Sequence, residues 1–225
     1  MFKLKNMKTK IILILALSLV LSACNNSNSN NKNNMNSDMN NKEESNRTVQ
    51  NQEDLIKTYK YVKLKTNFGD IKIKLFEETP ITSNNFLNLA QDDFYDGTKF
   101  HRVIEGFMIQ GGDPLSKDDS LENRWGTGSP GYVIPNEDVS SLSNVRGTIS
   151  MANSGPGTGG SQFFINTTDN VNLDFDKGDP RSQHTVFGEV VEGMQVVDDI
   201  EKVETKYPDR PTEPVIVTEI ELLKD

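Results

Sequence analysis

Between Tyr61 and Phe76 the chain reads YVKLKTNFGDIKIKLF, with apolar residues alternating with lysines on both sides of a short interruption. Successive side chains of an extended strand point to opposite faces, so such alternation buries one face and wets the other. Asn67-Phe68-Gly69-Asp70 supplies the turn, and the pattern predicts a hairpin whose apolar face needs a second layer to cover it. Thr79-Pro80 follows as an N-cap candidate with proline at the first helical position, and Phe86, Leu89 and Ala90 then recur at helical spacing. Strand-like runs return at 107–110, 147–151, 163–166 and 185–191 between glycine-rich loops. Met194, Val197 and Ile200 predict a second helix, and residues 214–222 a closing strand. Many short strands with two isolated helices fit a closed antiparallel barrel better than an α/β sheet, while a sandwich stays open.

The N-terminal quarter of the chain has a different character. Lys3, Lys5, Lys8 and Lys10 precede an apolar run from Ile11 to Leu17, and Leu21-Ser22-Ala23-Cys24 closes the segment. A basic start, a short apolar stretch and small residues before a cut mark a secretory signal, here expected over residues 1–23. The stretch is short for a membrane span, which needs about 20 apolar residues. Leu21-Ser22-Ala23-Cys24 resembles the bacterial lipoprotein box, in which the cysteine is acylated and becomes the first mature residue. Cys24 is the only cysteine, so the exported domain is expected to hold no disulfide. Removing residues 1–23 takes away four lysines and no acid, so the formal charge falls from −9 to −13. So acidic a body argues against nucleic-acid binding and against electrostatic adhesion to anionic lipid, leaving acyl chains on Cys24 as the membrane attachment. Twelve of the 28 residues from Asn25 to Gln52 are asparagine, a composition expected to give a disordered tether over 24–54. Residues 55–225 then form one folded domain.

Two runs carry the chemistry. In FHRVIEGFMIQGGD, from Phe100 to Asp113, Arg102 stands eight residues before Gln110, with Phe107 and Met108 between them. In SMANSGPGTGGSQFFI, from Ser150 to Ile165, Asn153 is followed by a glycine-rich turn and then by Gln162, Phe163 and Phe164. A fixed cation, amide donors and aromatic walls suit a neutral peptide group beside a ring; they do not suit a phosphate or a metal. Both runs resemble the cyclophilin family of peptidyl-prolyl cis–trans isomerases, and the resemblance extends over residues 59–225.

That resemblance implies an all-β-dominated fold, a closed eight-stranded antiparallel β-barrel capped by two α-helices. It implies Arg102 as the catalytic residue and Phe107, Met108, Phe164 and Leu173 as the walls of a proline pocket. Gln110, Gln162 and the backbone of Asn153 match groups that bind the substrate main chain, and His184 matches a histidine that lines the pocket without acting as a base. Phe163 is assigned to the core, because adjacent strand residues face opposite ways, and His101 to a structural role by the same alternation beside Arg102. The run from Asp174 to Asp179 lacks the glycine and glutamate placement of a calcium loop and is expected to be a solvated loop. Neither metal nor cofactor is implied. Two features depart from the family. Asn172 stands where many members carry a tryptophan that contacts the inhibitor cyclosporin, and the segment 175–183 is longer than in compact members. The expected protein is a monomeric, lipid-anchored isomerase on the extracytoplasmic face of a bacterial cell membrane, acting on proline-containing exported polypeptides. A proline-docking module without turnover is the rival reading. A solute-binding lipoprotein would need two larger lobes than about 170 residues can form.

Overall fold

In the computed structural model, which describes residues 54–224 except 178, Asn67 and Phe68 form a two-residue turn between β1 (Tyr61–Thr66) and β2 (Gly69–Leu75). The Thr66 hydroxyl oxygen accepts hydrogen bonds from the N–H groups of Phe68 at 3.0 Å and Gly69 at 3.1 Å, which satisfies the turn locally. Val62, Leu64, Ile71, Ile73 and Leu75 are buried while the intervening lysines lie on the wetter face, as alternation requires. The expected leader, Cys24 and most of the Asn/Ser tether lie outside the described residues.

The remaining strands are β3 (Arg102–Ile104), β4 (Met108–Gly111), β5 (Thr148–Met151), β6 (Phe163–Asn166), β7 (Val186–Glu192), the short pair β8 (Thr205–Lys206) and β9 (Arg210–Pro211), and β10 (Val217–Leu223). Eight of the ten strands form one antiparallel sheet in the order β10-β1-β2-β7-β5-β6-β4-β3, with β8 and β9 a separate hairpin. No ladder joins β3 to β10, so the expected closed barrel is a curled sheet. Near the seam an isolated bridge pairs Lys99 with Ile216, just ahead of the two edge strands. Strand β3 has only three residues, too few to pair along the whole edge.

Helix α1 (Pro80–Gln91) packs on β10 and β7, and α2 (Met194–Glu201) on β2, β3 and β4. Pro80 occupies the first turn as expected, but the Thr79 side chain makes no capping bond. The Glu137 carboxylate takes that role, accepting from Ile81 N–H at 3.0 Å and Thr82 N–H at 2.7 Å. A negative group at a helix N-terminus satisfies orphan donors and complements the helix dipole. Gly193 precedes α2 at φ +85°, and a Cβ there would lie 2.2 Å from the Asp70 carbonyl oxygen. Only glycine fits that close approach of turn and hairpin.

The main core fills the inside of the curled sheet beneath the two helices. Phe163 lies near its centre, edge-on to Phe86 at 5.5 Å, Tyr95 at 5.7 Å and Phe100 at 6.0 Å. Among the described residues no helix is long and apolar enough to cross a membrane.

Candidate active site

Strand parity assembles the site. Arg102 pairs with Gln110 across β3 and β4, Gln110 with Phe164 across β4 and β6, and Phe164 with Ser150 across β6 and β5. Directly opposed residues share a face, so Arg102, Gln110 and Phe164 stand side by side on the sheet's outer surface, with Met108 two places along. Their chain neighbours Val103, Ile109, Phe163 and Ile165 turn inward to the core.

Met108, Phe164 and Leu173 form a second apolar cluster apart from the core, with Ile104, Phe107 and Ala152 packed at its edge. Phe107 is only partly buried, whereas Met108 is 1 % exposed, so the first forms a wall and the second a floor. Beside this pocket runs a polar line. Arg102 Nη1 donates to Gln110 Oε1 at 3.4 Å, and Gln110 Nε2 donates to Gln162 Oε1 at 3.0 Å. Gln162 Nε2 in turn donates to the carbonyl oxygens of Gly126 at 3.1 Å and Gly128 at 2.8 Å. Asp113 holds that glycine loop by accepting from the N–H groups of Gly126 and Gly128. Gln110, Gln162, Asn153 and Ala152 line an open groove of about 300 Å³ beside the polar line. The Asn153 side chain is itself engaged, donating to the Gln183 carbonyl at 2.8 Å and accepting from Gly155 N–H at 3.0 Å.

His184 stands edge-on to Phe164 at 5.2 Å, and its Nδ1–H donates to the Met151 carbonyl at 2.9 Å, since a carbonyl can only accept. Burial lowers its pKa, opposed by that hydrogen bond, so the ring is neutral at pH 7. The long segment after Leu173 does not displace His184. The His184 N–H donates to the Leu173 carbonyl at 3.0 Å, which closes the extension into an excursion between two adjoining residues. Asn172 is exposed on the short 3-10 turn that carries Leu173.

The residues expected at the site are thus brought together, while Phe163 lies in the main core and His101 is buried against the Gly126 loop. The expected solvated loop needs one correction. Asp174 is buried and accepts from Asn144 N–H at 2.7 Å and Asn144 Nδ2 at 3.0 Å, so it fastens the turn beneath the pocket. Sequence reasoning also missed Asn166 and Asn170. Asn170 Nδ2 donates to the Phe107 carbonyl and to Asn166 Oδ1, both at 2.8 Å, which fixes the pocket wall from below. Single asparagines in loops and on short strands carry no local signal for such a network.

An apolar ring can enter the pocket while its main chain meets the amides of Gln110 and Gln162 and the guanidinium of Arg102. Comparison with known proteins agrees. The model of the cyclophilin type peptidyl-prolyl cis-trans isomerase family matches residues 61–222. A peptidyl-prolyl cis-trans isomerase of Arabidopsis thaliana is 45% identical over 152 residues, covering 67% of this chain and 88% of its own. Peptidyl-prolyl cis-trans isomerase A of Mycobacterium tuberculosis is 43% identical over 176 residues, covering 70% of this chain and 88% of that one. The crystal structure of a Cryptosporidium parvum cyclophilin type peptidyl-prolyl cis-trans isomerase matches with a TM-score of 0.65 at 30% identity, over 74% of this chain and 99% of that one. The chain belongs to the cyclophilin family and is a peptidyl-prolyl cis–trans isomerase.

Proposed function

We propose that this isomerase acts, as a monomer, on exported polypeptides at the outer face of a bacterial cell membrane, held there by acyl chains on Cys24, and that it assists their folding. In this reading Arg102 is the catalytic residue. Phe107, Met108, Phe164 and Leu173 hold the proline ring with His184 beside them, and Gln110, Asn153 and Gln162 hold the main chain. Residues 1–23 direct export, 24–54 form the lipidated tether, and 55–225 carry the chemistry.

The observation that carries the site assignment is the shared face of Arg102, Gln110, Met108 and Phe164. An X-Pro bond rotates slowly because amide resonance must be broken, at a barrier of about 18–20 kcal/mol. In the twisted amide the prolyl nitrogen regains its lone pair and becomes a hydrogen-bond acceptor. A permanently charged donor beside that nitrogen stabilises the twisted form more than either planar one, and such differential binding raises the rate. No proton is transferred, so a neutral His184 serves by shape and hydrogen bonding. Holding the ring in an apolar pocket lets the preceding residue turn against a fixed frame.

Arg102→Ala should lower kcat/KM on a proline peptide by at least about tenfold, with the unfolding midpoint nearly unchanged because the side chain is partly exposed. Undiminished turnover would remove Arg102 from the mechanism. The location rests on the lysine-rich start, the short apolar run and Cys24. Cys24→Ala should shift the protein from the membrane fraction to the soluble extracytoplasmic fraction with its isomerase activity intact. Retention of that variant in carbonate-washed membranes would replace the lipid anchor with an uncleaved apolar segment.

A further inference from the structure

Arg102 is a long side chain with several rotatable bonds, yet the proposed chemistry needs its guanidinium at one place. Gln110 accounts for part of that restraint, at 3.4 Å from Nη1. The other restraint comes from a hairpin more than a hundred residues away in sequence. Asp209, in the turn between β8 and β9, places its carboxylate oxygen 3.7 Å from Arg102 Nε. Its carbonyl oxygen accepts from Val103 N–H at 2.8 Å, the peptide group immediately after Arg102. We propose that Asp209 is a positioning residue, holding the Nε edge of Arg102 so that the rest of the fork faces the substrate amide; this rests on Arg102 being the catalytic residue.

Asp209 sits at φ +72°, a left-handed conformation that asparagine and glycine adopt as readily as aspartate. The backbone there does not call for a charge, so the negative charge has to be explained by what the carboxylate meets, and it meets Arg102. The turn is also held firmly from its far side. The Glu122 carboxylate takes Lys206 Nζ at 2.8 Å and Arg210 Nη1 at 3.6 Å, one from each strand of the hairpin. The Arg210 guanidinium lies 5.7 Å from the centre of the Trp125 ring, which also has Lys99 Nζ at 4.8 Å. Cation–π contacts of this kind give Trp125, which has no part in the groove, a role in seating the hairpin. A carboxylate on a seated turn restrains its partner at little conformational cost. A guanidinium that wanders is competent for only part of the time, and the rate scales with that fraction.

Arg102 and Asp209 side chains are 42 % and 48 % exposed, so the pair contributes little to stability. Its signature is therefore sought in rate and in side-chain order. Asp209→Asn and Asp209→Gly keep the left-handed turn and the carbonyl that Val103 bonds. In the full-length protein each should lower kcat on a proline peptide by about three- to tenfold, with KM and the unfolding midpoint nearly unchanged. In an Arg102→Ala background Asp209→Asn should cost nothing further. The Arg102 Nε–Hε signal, assigned by its loss in Arg102→Ala, should show a lower NMR order parameter in Asp209→Asn. Unchanged kcat with an unchanged order parameter overturns the proposal, as does an equal loss from Asp209→Asn with and without Arg102. An Arg102→Ala protein that turns over normally instead overturns the catalytic reading of Arg102, while the order parameter still reports whether Asp209 restrains it.

Discussion

Phe163 and Phe164 are neighbours in one strand and belong to different regions of the molecule. Phe163 is buried among Phe86, Tyr95 and Phe100 in the main core, where each wall is another side chain. Phe164 is nearly as buried, at 4 % exposure, but it lies in the small cluster with Met108 and Leu173 that opens toward the groove. The same division separates Val103 from Arg102. Burial alone does not distinguish a residue that holds the fold from one that shapes a site. The difference lies in what covers it: the main core on one side of the sheet, and on the other a small cluster rimmed by partly buried side chains.

The largest effect should come from testing that division directly. Phe163→Ala should lower the unfolding free energy by about 3–5 kcal/mol, since a closed aromatic cluster cannot collapse around the cavity. Phe164→Ala should cost less than half as much in stability, because its cluster is small and rimmed by partly buried side chains, yet it should lower kcat/KM at least about tenfold. Denaturant unfolding of both variants beside a proline-peptide assay reads both quantities. Equal stability costs with equal activity would break the comparison.

Acid should act mainly through the buried His101. Burial lowers the pKa of His101 from 6.5 to about 4, with Asp113 opposing that shift and Arg210 and Arg102 adding to it. The unfolded chain therefore binds more protons than the folded one between about pH 6.5 and 4, and stability falls as pH falls through that window. The loss attributable to His101 is up to about 3 kcal/mol, and His184 adds to it in the same direction. Urea midpoints at pH 7 and 4.5 should converge in His101→Gln relative to the unmodified protein. An undiminished pH difference would detach the acid sensitivity from His101.

The smallest effect concerns the rim. Asn172 is exposed beside Leu173 and offers neither the apolar face nor the N–H donor of an indole. Asn172→Trp should tighten cyclosporin by about 1–3 kcal/mol, the scale of burying one large side chain, with a smaller change on short proline peptides. Titration of both proteins with the inhibitor decides it, and equal affinities would place residue 172 outside the groove.

Much of the site was legible because it is built on strands. The period of two fixes which face Met108, Gln110 and Phe164 occupy once the run is extended, and it sends Ile109 and Phe163 inward by the same rule. The hairpin at Asn67-Phe68 and Pro80 at the start of α1 were equally open to local reasoning. Strand β3, three residues long, was too short to show alternation, and β8 and β9 shorter still. Thr79 has the composition of a helix cap and makes no capping bond with its side chain, because a better acceptor arrives from Glu137.

The sequence by itself determined the longer alternating strands, the two helices and the side of the sheet on which Met108, Gln110 and Phe164 stand, since these depend on backbone geometry over a few neighbours. Tertiary structure alone decided that the sheet curls without a closing ladder and that Glu137 caps a helix more than fifty residues away. It also returned His184 to Leu173 across the long loop and laid Asp209 against Arg102. Those contacts join segments whose meeting depends on how the whole chain closes, and no local pattern of polar and apolar residues encodes which distant loop will arrive.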